Sequence, residues 1–419
     1  MPQGGQKRNV RMIVRARVVV TMDGPPIDNG AVAVSGDQIV DVGEFSEVSK
    51  RHSNQTIVDL GDQALLPGLI NAHCHLDYTC LRGKIPPQKS FADWIRAINT
   101  EKATLSPDDY VRSINEGFAE AKRFGTTTIA NLTAFPELIG QINQPIRTWW
   151  FAELIDVRDP SRAKEIVDLA VEQLKSQEDW GLAPHAPFSA SADLYRRCSE
   201  VAQRDKILLA THLAESREEV SIFRDRKGPL YEFLQGIGRE MSDLGHGTPV
   251  SRFSEIIRDS SASLGMTENW LLVHVNELEK TDFDQLARSA SKASIVHCPR
   301  SHKYFGHSLF QYDKLRGCGF ELCLGTDSLA SNDDLSLFAE MRAFQKEFPN
   351  VSAEEILEMV TTNPARALRQ QDRLGKIRPG FAADLIAVPF EGSPSVFDAI
   401  VAHNQSVSWS MIGGAIQAA

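Results

Sequence analysis

The chain has 419 residues, 42% hydrophobic and 24% charged, an ordinary globular composition that exceeds one typical core. Its formal net charge of −10 is spread without an acidic block or a basic stripe, which argues against nucleic acid or an anionic membrane as the main partner. A small-molecule substrate is the expected partner. The six cysteines (Cys74, Cys80, Cys198, Cys298, Cys318 and Cys323) form no C-x-x-C pair and no dense framework, so reduced thiols in the cytoplasm are expected. The polar start from Met1 to Arg8 lacks the apolar core of a signal peptide, and no uncharged run approaches the length of a membrane span.

Residues 9–60 read as short β-segments: 14–22, a turn at Asp23-Gly24-Pro25-Pro26, then 31–34 and 38–42. The chain after about residue 373 has the same character at 380–388 and 399–402. Two β-rich ends around a different middle predict a small β-sandwich domain made from residues 1–66 and 373–419. Between them, 67–372 alternates β-like runs near 69–75, 126–131, 148–154, 181–187, 207–215, 270–275, 293–299 and 320–327 with stretches of helical spacing at 107–124, 161–177 and 192–204. Eight alternations over about 300 residues predict an α/β fold, a (β/α)8 TIM barrel, with a doubly wound sheet as the alternative. The long step from 216 to 269 holds Gly245-His246-Gly247-Thr248-Pro249 and is expected to be an extra helical excursion over the pocket.

In such a barrel function gathers at the carboxyl ends of the strands. Polar residues recur there. The first run ends in Asn71-Ala72-His73-Cys74-His75. Alternate side chains of a strand share a face, so His73 and His75 aim at one point while Cys74 faces away. Later runs end in His185, in His212 with Glu215 just beyond, in His274, in His297 and in Asp327. Three histidines and a carboxylate suit a divalent metal such as Zn²⁺ or Fe²⁺. His73, His75, His212 and Asp327 are the expected ligands, with a bound water acidified by the cation. Glu215 is placed to shuttle protons, as hydrolytic deamination requires: a ring nitrogen must be protonated as hydroxide attacks the adjacent carbon. His274 is expected to orient that hydroxide. Plainer roles stand beside these, a salt bridge to Arg217 for Glu215 and a buried structural histidine for His274.

The stretches Pro67-Gly68-Leu69-Ile70-Asn71-Ala72-His73-Cys74-His75, Leu81-Arg82-Gly83, Trp94, Ala183-Pro184-His185-Ala186-Pro187, His212-Leu213-Ala214-Glu215 and Leu324-Gly325-Thr326-Asp327-Ser328-Leu329-Ala330-Ser331-Asn332 together resemble the amidohydrolase superfamily. The similarity falls in the branch of cytosine, guanine and S-adenosylhomocysteine aminohydrolases and chlorohydrolases. It spans essentially the whole chain, through Gly375-Lys376-Ile377-Arg378-Pro379-Gly380 and Ala383-Asp384-Leu385-Ile386. The resemblance implies the same four ligands, Glu215 as proton shuttle, His274 as water-orienting residue, a part for Asp327 in deprotonating the water, and His185 in the substrate pocket. Packing or helix capping is the plainer role for His185. Binuclear members bridge their metals through a modified lysine on the fourth strand, and residues 180–188 hold no lysine, so one divalent ion is expected. Cyclic-amide hydrolysis of the dihydroorotase kind is thereby disfavoured. Relatives often form homo-oligomers, which makes one an expectation by analogy alone.

Cys298-Pro299-Arg300-Ser301-His302 carries a histidine where the family stretch often has asparagine, which interrupts direct transfer of base recognition. Arg82, Lys84, Arg300, His302 and Lys303 are expected to place positive charge around the mouth of the site, to suit a substrate carboxylate, with solvated surface charge as the alternative. His75-Leu76-Asp77-Tyr78 followed by Ser90-Phe91-Ala92-Asp93-Trp94-Ile95 resembles the aminodeoxyfutalosine deaminases. The expected reaction is deamination of an adenine nucleoside-type compound (6-aminodeoxyfutalosine, S-adenosylhomocysteine or methylthioadenosine) with release of ammonia. The alternatives are free-base deamination, cyclic imine or amide hydrolysis, or dechlorination. A non-catalytic binding protein is a remoter one, because the whole ligand set is present.

Overall fold

The computed structural model describes residues 12–261, 270–288, 293–392 and 395–417. The polar start of the chain and the end of the long step before the sixth run lie outside them. The chain divides into two compact units, one of residues up to 70, 121–128 and from 337 onward, the other of residues 71–120 and 129–336.

In the first unit two sheets draw on both ends of the chain. A four-stranded sheet runs in the order Gln38–Glu44, Gly30–Ser35, Met12–Arg15, Thr56–Asp59. A six-stranded sheet runs Ala415–Ile416, Trp409–Ile412, Leu385–Pro389, Gln63–Pro67, Val18–Val19, Ile27–Asp28. The predicted run 14–22 is divided between them, with Met12–Arg15 in one sheet and Val18–Val19 in the other. Val14, Val32 and Val34 from the first sheet meet Leu65, Leu385 and Ala387 from the second in one buried cluster, the packing of a sandwich. One expected β-segment is not a strand. Residues 399–402 belong to the helix Val396–Ala402, whose buried Val396, Ile400 and Val401 form a helical stripe. Four apolar residues are too short a window to tell the two periods apart.

The barrel strands are Leu69–His75, Thr126–Thr133, Arg147–Leu154, Trp180–Pro184, Leu208–Leu213, Trp270–His274 and Ala293–His297, with an eighth in two pieces, Leu322–Leu324 and Asp327–Ser328. Leu322–Leu324 pairs in parallel with the seventh strand and Asp327–Ser328 in parallel with the first, so the eighth strand closes the ring across Gly325 and Thr326. Each predicted run is a strand, and the barrel stands. Its helices follow local rules. Pro107–Arg123 carries Asp108 and Asp109 in its first turn and Lys122 and Arg123 in its last, matching the helix dipole. The Ser191 side chain accepts from Leu194 N and caps Ala192–Asp205. The long step after the fifth strand is helical as expected, with Arg217–Asp225, Pro229–Gly236 and Pro249–Ser261. Among the described residues no helix is long and apolar enough to cross a membrane, and all six cysteines are free thiols.

Candidate functional site

The carboxyl ends of the barrel strands surround one cavity, and every residue lining it belongs to the unit of residues 71–120 and 129–336. Strand alternation sends Cys74 to the far face, where its Sγ lies 3.3 Å from Asn131 Oδ1. His73 and His75 face inward. His75 Nε2 is 3.3 Å from His212 Nε2. Asp327 Oδ1 is 3.6 Å from His73 Nε2 and 3.9 Å from His75 Nε2. The ligand atoms of His73, His75 and Asp327 fall within 4.8 Å of one another, as do those of His73, His212 and His274.

The chemistry of this cluster fits a cation. Both ring nitrogens of His73 and Nδ1 of His75 are buried without a hydrogen-bond partner among the described residues, which is costly unless a bound group takes up the lone pairs. Burial drives the imidazoles to the neutral, ligating form: His75 and His274 titrate well below the ordinary histidine range, and His212 is pushed down to about 3. Burial opposes the charge on Asp327, but the His73 ring beside it prevails and holds the carboxylate ionised. Ser301 Oγ donates to Asp327 Oδ2 at 2.6 Å and leaves Oδ1 facing the histidines. Neutral imidazoles with one carboxylate are the donor set of a borderline divalent ion.

Glu215 is buried, with Oε1 3.6 Å from His274 Nε2. Burial first, then the charges of Asp327, Glu219 and Glu153, lift its carboxyl well above the usual carboxylate range. The salt bridge to Arg217 is absent: that guanidinium faces Glu277 at 3.6 Å and Ser308 at 3.2 Å. The backbone around these residues is strained. Ala214 (φ 50°), His274 (φ 74°), Val275 (φ 52°) and Asp327 (φ 55°) all occupy the left-handed region, which a β-branched valine rarely adopts. Val275 N bonds Leu213 O at 2.9 Å, and the amides of Asn276 and Glu277 bond Ala214 O at 3.0 and 2.9 Å, holding the turn in place. Strain of this kind gathers at functional sites.

His185 lines the cavity too, with Nδ1 2.6 Å from Ser189 Oγ, and burial followed by the nearby Lys102 charge pushes it down to about 4. The other expected substrate contacts lie elsewhere. Arg82 is ion-paired with Glu120. Arg300 pairs with Asp334 at 2.6 Å and Asp333 at 3.1 Å. His302 Nε2 lies 2.8 Å from Ser308 O, and its ring packs edge-on against His297. Lys84 and Lys303 are exposed. None of these lines the cavity. For the two arginines and His302 the cause is the same: a partner near in space already meets the polar group.

Glu153 was not foreseen. It ends the third strand, with Oε1 3.9 Å from His212 Nδ1 and 4.0 Å from His75 Nδ1. The strand-end rule applied to Arg147–Leu154 finds it, because Trp149, Phe151 and Glu153 alternate onto one face. Lys102 and Arg158 also line the cavity from outside any strand, where that rule has no purchase.

A barrel that gathers neutral histidines and buried carboxylates at the carboxyl ends of its strands has the architecture of a metal-dependent hydrolase. The chain belongs to the amidohydrolase family, whose pattern matches residues 64–407. It is similar to a 5-methylthioadenosine/S-adenosylhomocysteine deaminase of Syntrophobacter fumaroxidans, 28% identical over 405 residues, which cover 92% of this chain and 86% of that one. Among solved structures it is similar to Helicobacter pylori aminofutalosine deaminase in complex with methylthio-coformycin, with a TM-score of 0.85 and 22% identity over 97% of this chain and 100% of that one. An adenosine deaminase from Xanthomonas campestris with bound zinc gives a TM-score of 0.80 at 24% identity, covering 97% and 92% of the two chains. At these identities the structural likeness speaks for the fold.

Proposed function

We propose that this chain is a metal-dependent aminohydrolase that replaces the exocyclic amino group of an adenine nucleoside-type compound with oxygen and releases ammonia. 6-Aminodeoxyfutalosine, S-adenosylhomocysteine and methylthioadenosine are the candidate substrates, in keeping with the names of the relatives. The observation that carries the reading is the buried Glu215 carboxyl beside His274, within the same cavity as His73, His75, His212 and Asp327.

A single divalent ion, zinc or iron, held by His73, His75, His212 and Asp327, would supply the Lewis acidity that makes a water acidic at neutral pH. The fourth strand, Trp180–Pro184, carries no lysine to bridge a second ion. Glu215 holds a proton on its carboxyl because burial disfavours its charge. That proton is what a purine ring nitrogen must receive while the neighbouring carbon is attacked by water. Neutral His274 offers a ring nitrogen to orient the attacking oxygen, and ionised Asp327 can take its proton. His185, anchored through Nδ1 on Ser189, presents its ring to the substrate side. Phe91, Trp94, Ile98 and Phe233 wall the cavity and exclude water from the reacting ring.

The test is a panel of adenosine derivatives, free bases, cyclic imides and chlorotriazines given to the protein loaded with Zn²⁺ or Fe²⁺. Ammonia release with loss of the adenine absorbance from the nucleosides is the expected result. Turnover confined to another class, or no turnover with either metal bound, overturns the reading.

A further inference from the structure

We infer that Lys102 and Arg158 bind a carboxylate carried on an apolar spacer of the substrate, remote from the reacting ring; this rests on the deaminase reading above. Both line the same cavity as His75, His212, Glu215 and Asp327. Lys102 comes from the last turn of the helix Phe91–Lys102, and Arg158 from the segment after the third strand. Their situation is unlike that of every other cation discussed so far. Arg82, Arg217 and Arg300 face carboxylates, whereas among the described residues neither Lys102 nor Arg158 has a carboxylate oxygen within 4.0 Å. Lys102 is half-buried and stands over the Tyr78 ring, its Nζ 4.7 Å from the centroid. A partly desolvated ammonium whose neighbour is an aromatic face is left wanting an anion.

The remainder of the cavity says how that anion is connected. Trp94, Ile95 and Ile98 of the same helix and Phe233 and Ile237 of the long helical excursion make an apolar wall. The opposite charge sits with the histidine cluster, as the carboxylates of Glu153, Glu215 and Asp327. A second carboxylate is repelled from that end and drawn to Lys102 and Arg158, so the charge pattern orients the substrate as well as holding it. A neutral tail would use the wall and leave both cations unmet.

The experiment compares adenosine bearing at its 5′ position an apolar spacer that ends in a carboxylate with the methyl ester of the same compound. kcat/KM is expected to favour the acid about tenfold to a hundredfold, the range of one charge-assisted contact. That preference shrinks as salt is raised. Lys102→Met and Arg158→Met each lower the acid-to-ester ratio, and Lys102→Arg keeps it. Calorimetric binding of the two deaminated products gives the same ratio without any turnover. Equal kcat/KM for acid and ester, or a ratio unchanged in both Met variants, overturns the inference and leaves the deaminase reading standing. No ammonia from either compound overturns the deaminase reading and the substrate assignment with it.

Discussion

The Oε1 of Glu153 stands 3.9 Å from Nδ1 of His212, and the same oxygen is 4.0 Å from Nδ1 of His75. The two imidazoles stack, with centroids 5.4 Å apart and planes 12° from parallel, and their Nε2 atoms lie 3.3 Å from each other. One carboxylate thus faces the far nitrogens of two expected ligands. Such a carboxylate keeps the proton on Nδ1 and turns Nε2, unprotonated, toward the cation. Glu153→Gln keeps the shape and removes the charge. Metal affinity is expected to fall about tenfold to a hundredfold, read by competition with a chelator of known affinity. An affinity equal to the wild type removes Glu153 from this role.

Glu215→Gln separates binding from proton transfer. The amide is isosteric, and Glu215 is not among the expected ligands, so metal content is expected to stay at the wild-type level. kcat is expected to drop by about 10²–10⁴, the usual contribution of a positioned general acid–base. Metal analysis and steady-state rates on one preparation check both halves. Wild-type turnover would take Glu215 out of the mechanism.

Glu219 ties stability to pH at the turn that carries Glu215. Its buried carboxylate accepts from Glu215 N at 2.8 Å and Ala214 N at 3.3 Å, and burial nevertheless lifts it to about 8. A carboxyl raised in the folded state binds its proton more tightly there than in the unfolded chain. The folded form therefore loses stability as pH rises from the ordinary carboxylate range to about 8, at a limiting slope of about 1.4 kcal/mol per pH unit for one group. Thermal unfolding of the wild type is expected to weaken more steeply between pH 5 and 8 than that of Glu219→Gln. Parallel profiles would show that Glu219 does not titrate in this window.

The barrel and its polar rim were legible because two periodicities coincide. Strand alternation selects His73 and His75 and rejects Cys74, and the recurrence of histidine or carboxylate at later strand ends supplies His212, His274 and Asp327. Charges outside strands were not legible in that way. Arg82 lies beside the metal motif in the chain, yet its guanidinium is held by Glu120 from another helix, and Arg300 is held by Asp333 and Asp334. Whether a cation is free for a ligand depends on such tertiary partners, which spacing does not record. Lys102 reaches the cavity from the far end of a helix, twenty-seven residues past His75, for the same reason.

Gly325 is the position where a single methyl group tests how the ring closes. It lies between the two pieces of the eighth strand, its amide bonded to His297 O at 3.0 Å, while the next amide, Thr326 N, bonds His73 O at 3.0 Å. A Cβ placed there would stand 2.7 Å from His73 O and 2.9 Å from His73 Cβ. Both contacts are too close to keep, and a backbone oxygen cannot rotate aside as a flexible side chain would. Gly325→Ala must push the eighth strand off the first, moving Asp327 relative to His73. The cost to stability is expected to be about 1–3 kcal/mol, as for other overpacked sites, measured by denaturant unfolding in the presence of a chelator. Metal affinity should fall in the same variant, because two expected ligands are carried by the strands that separate. Unfolding and metal affinity both equal to the wild type would show that the closure is looser than this packing implies.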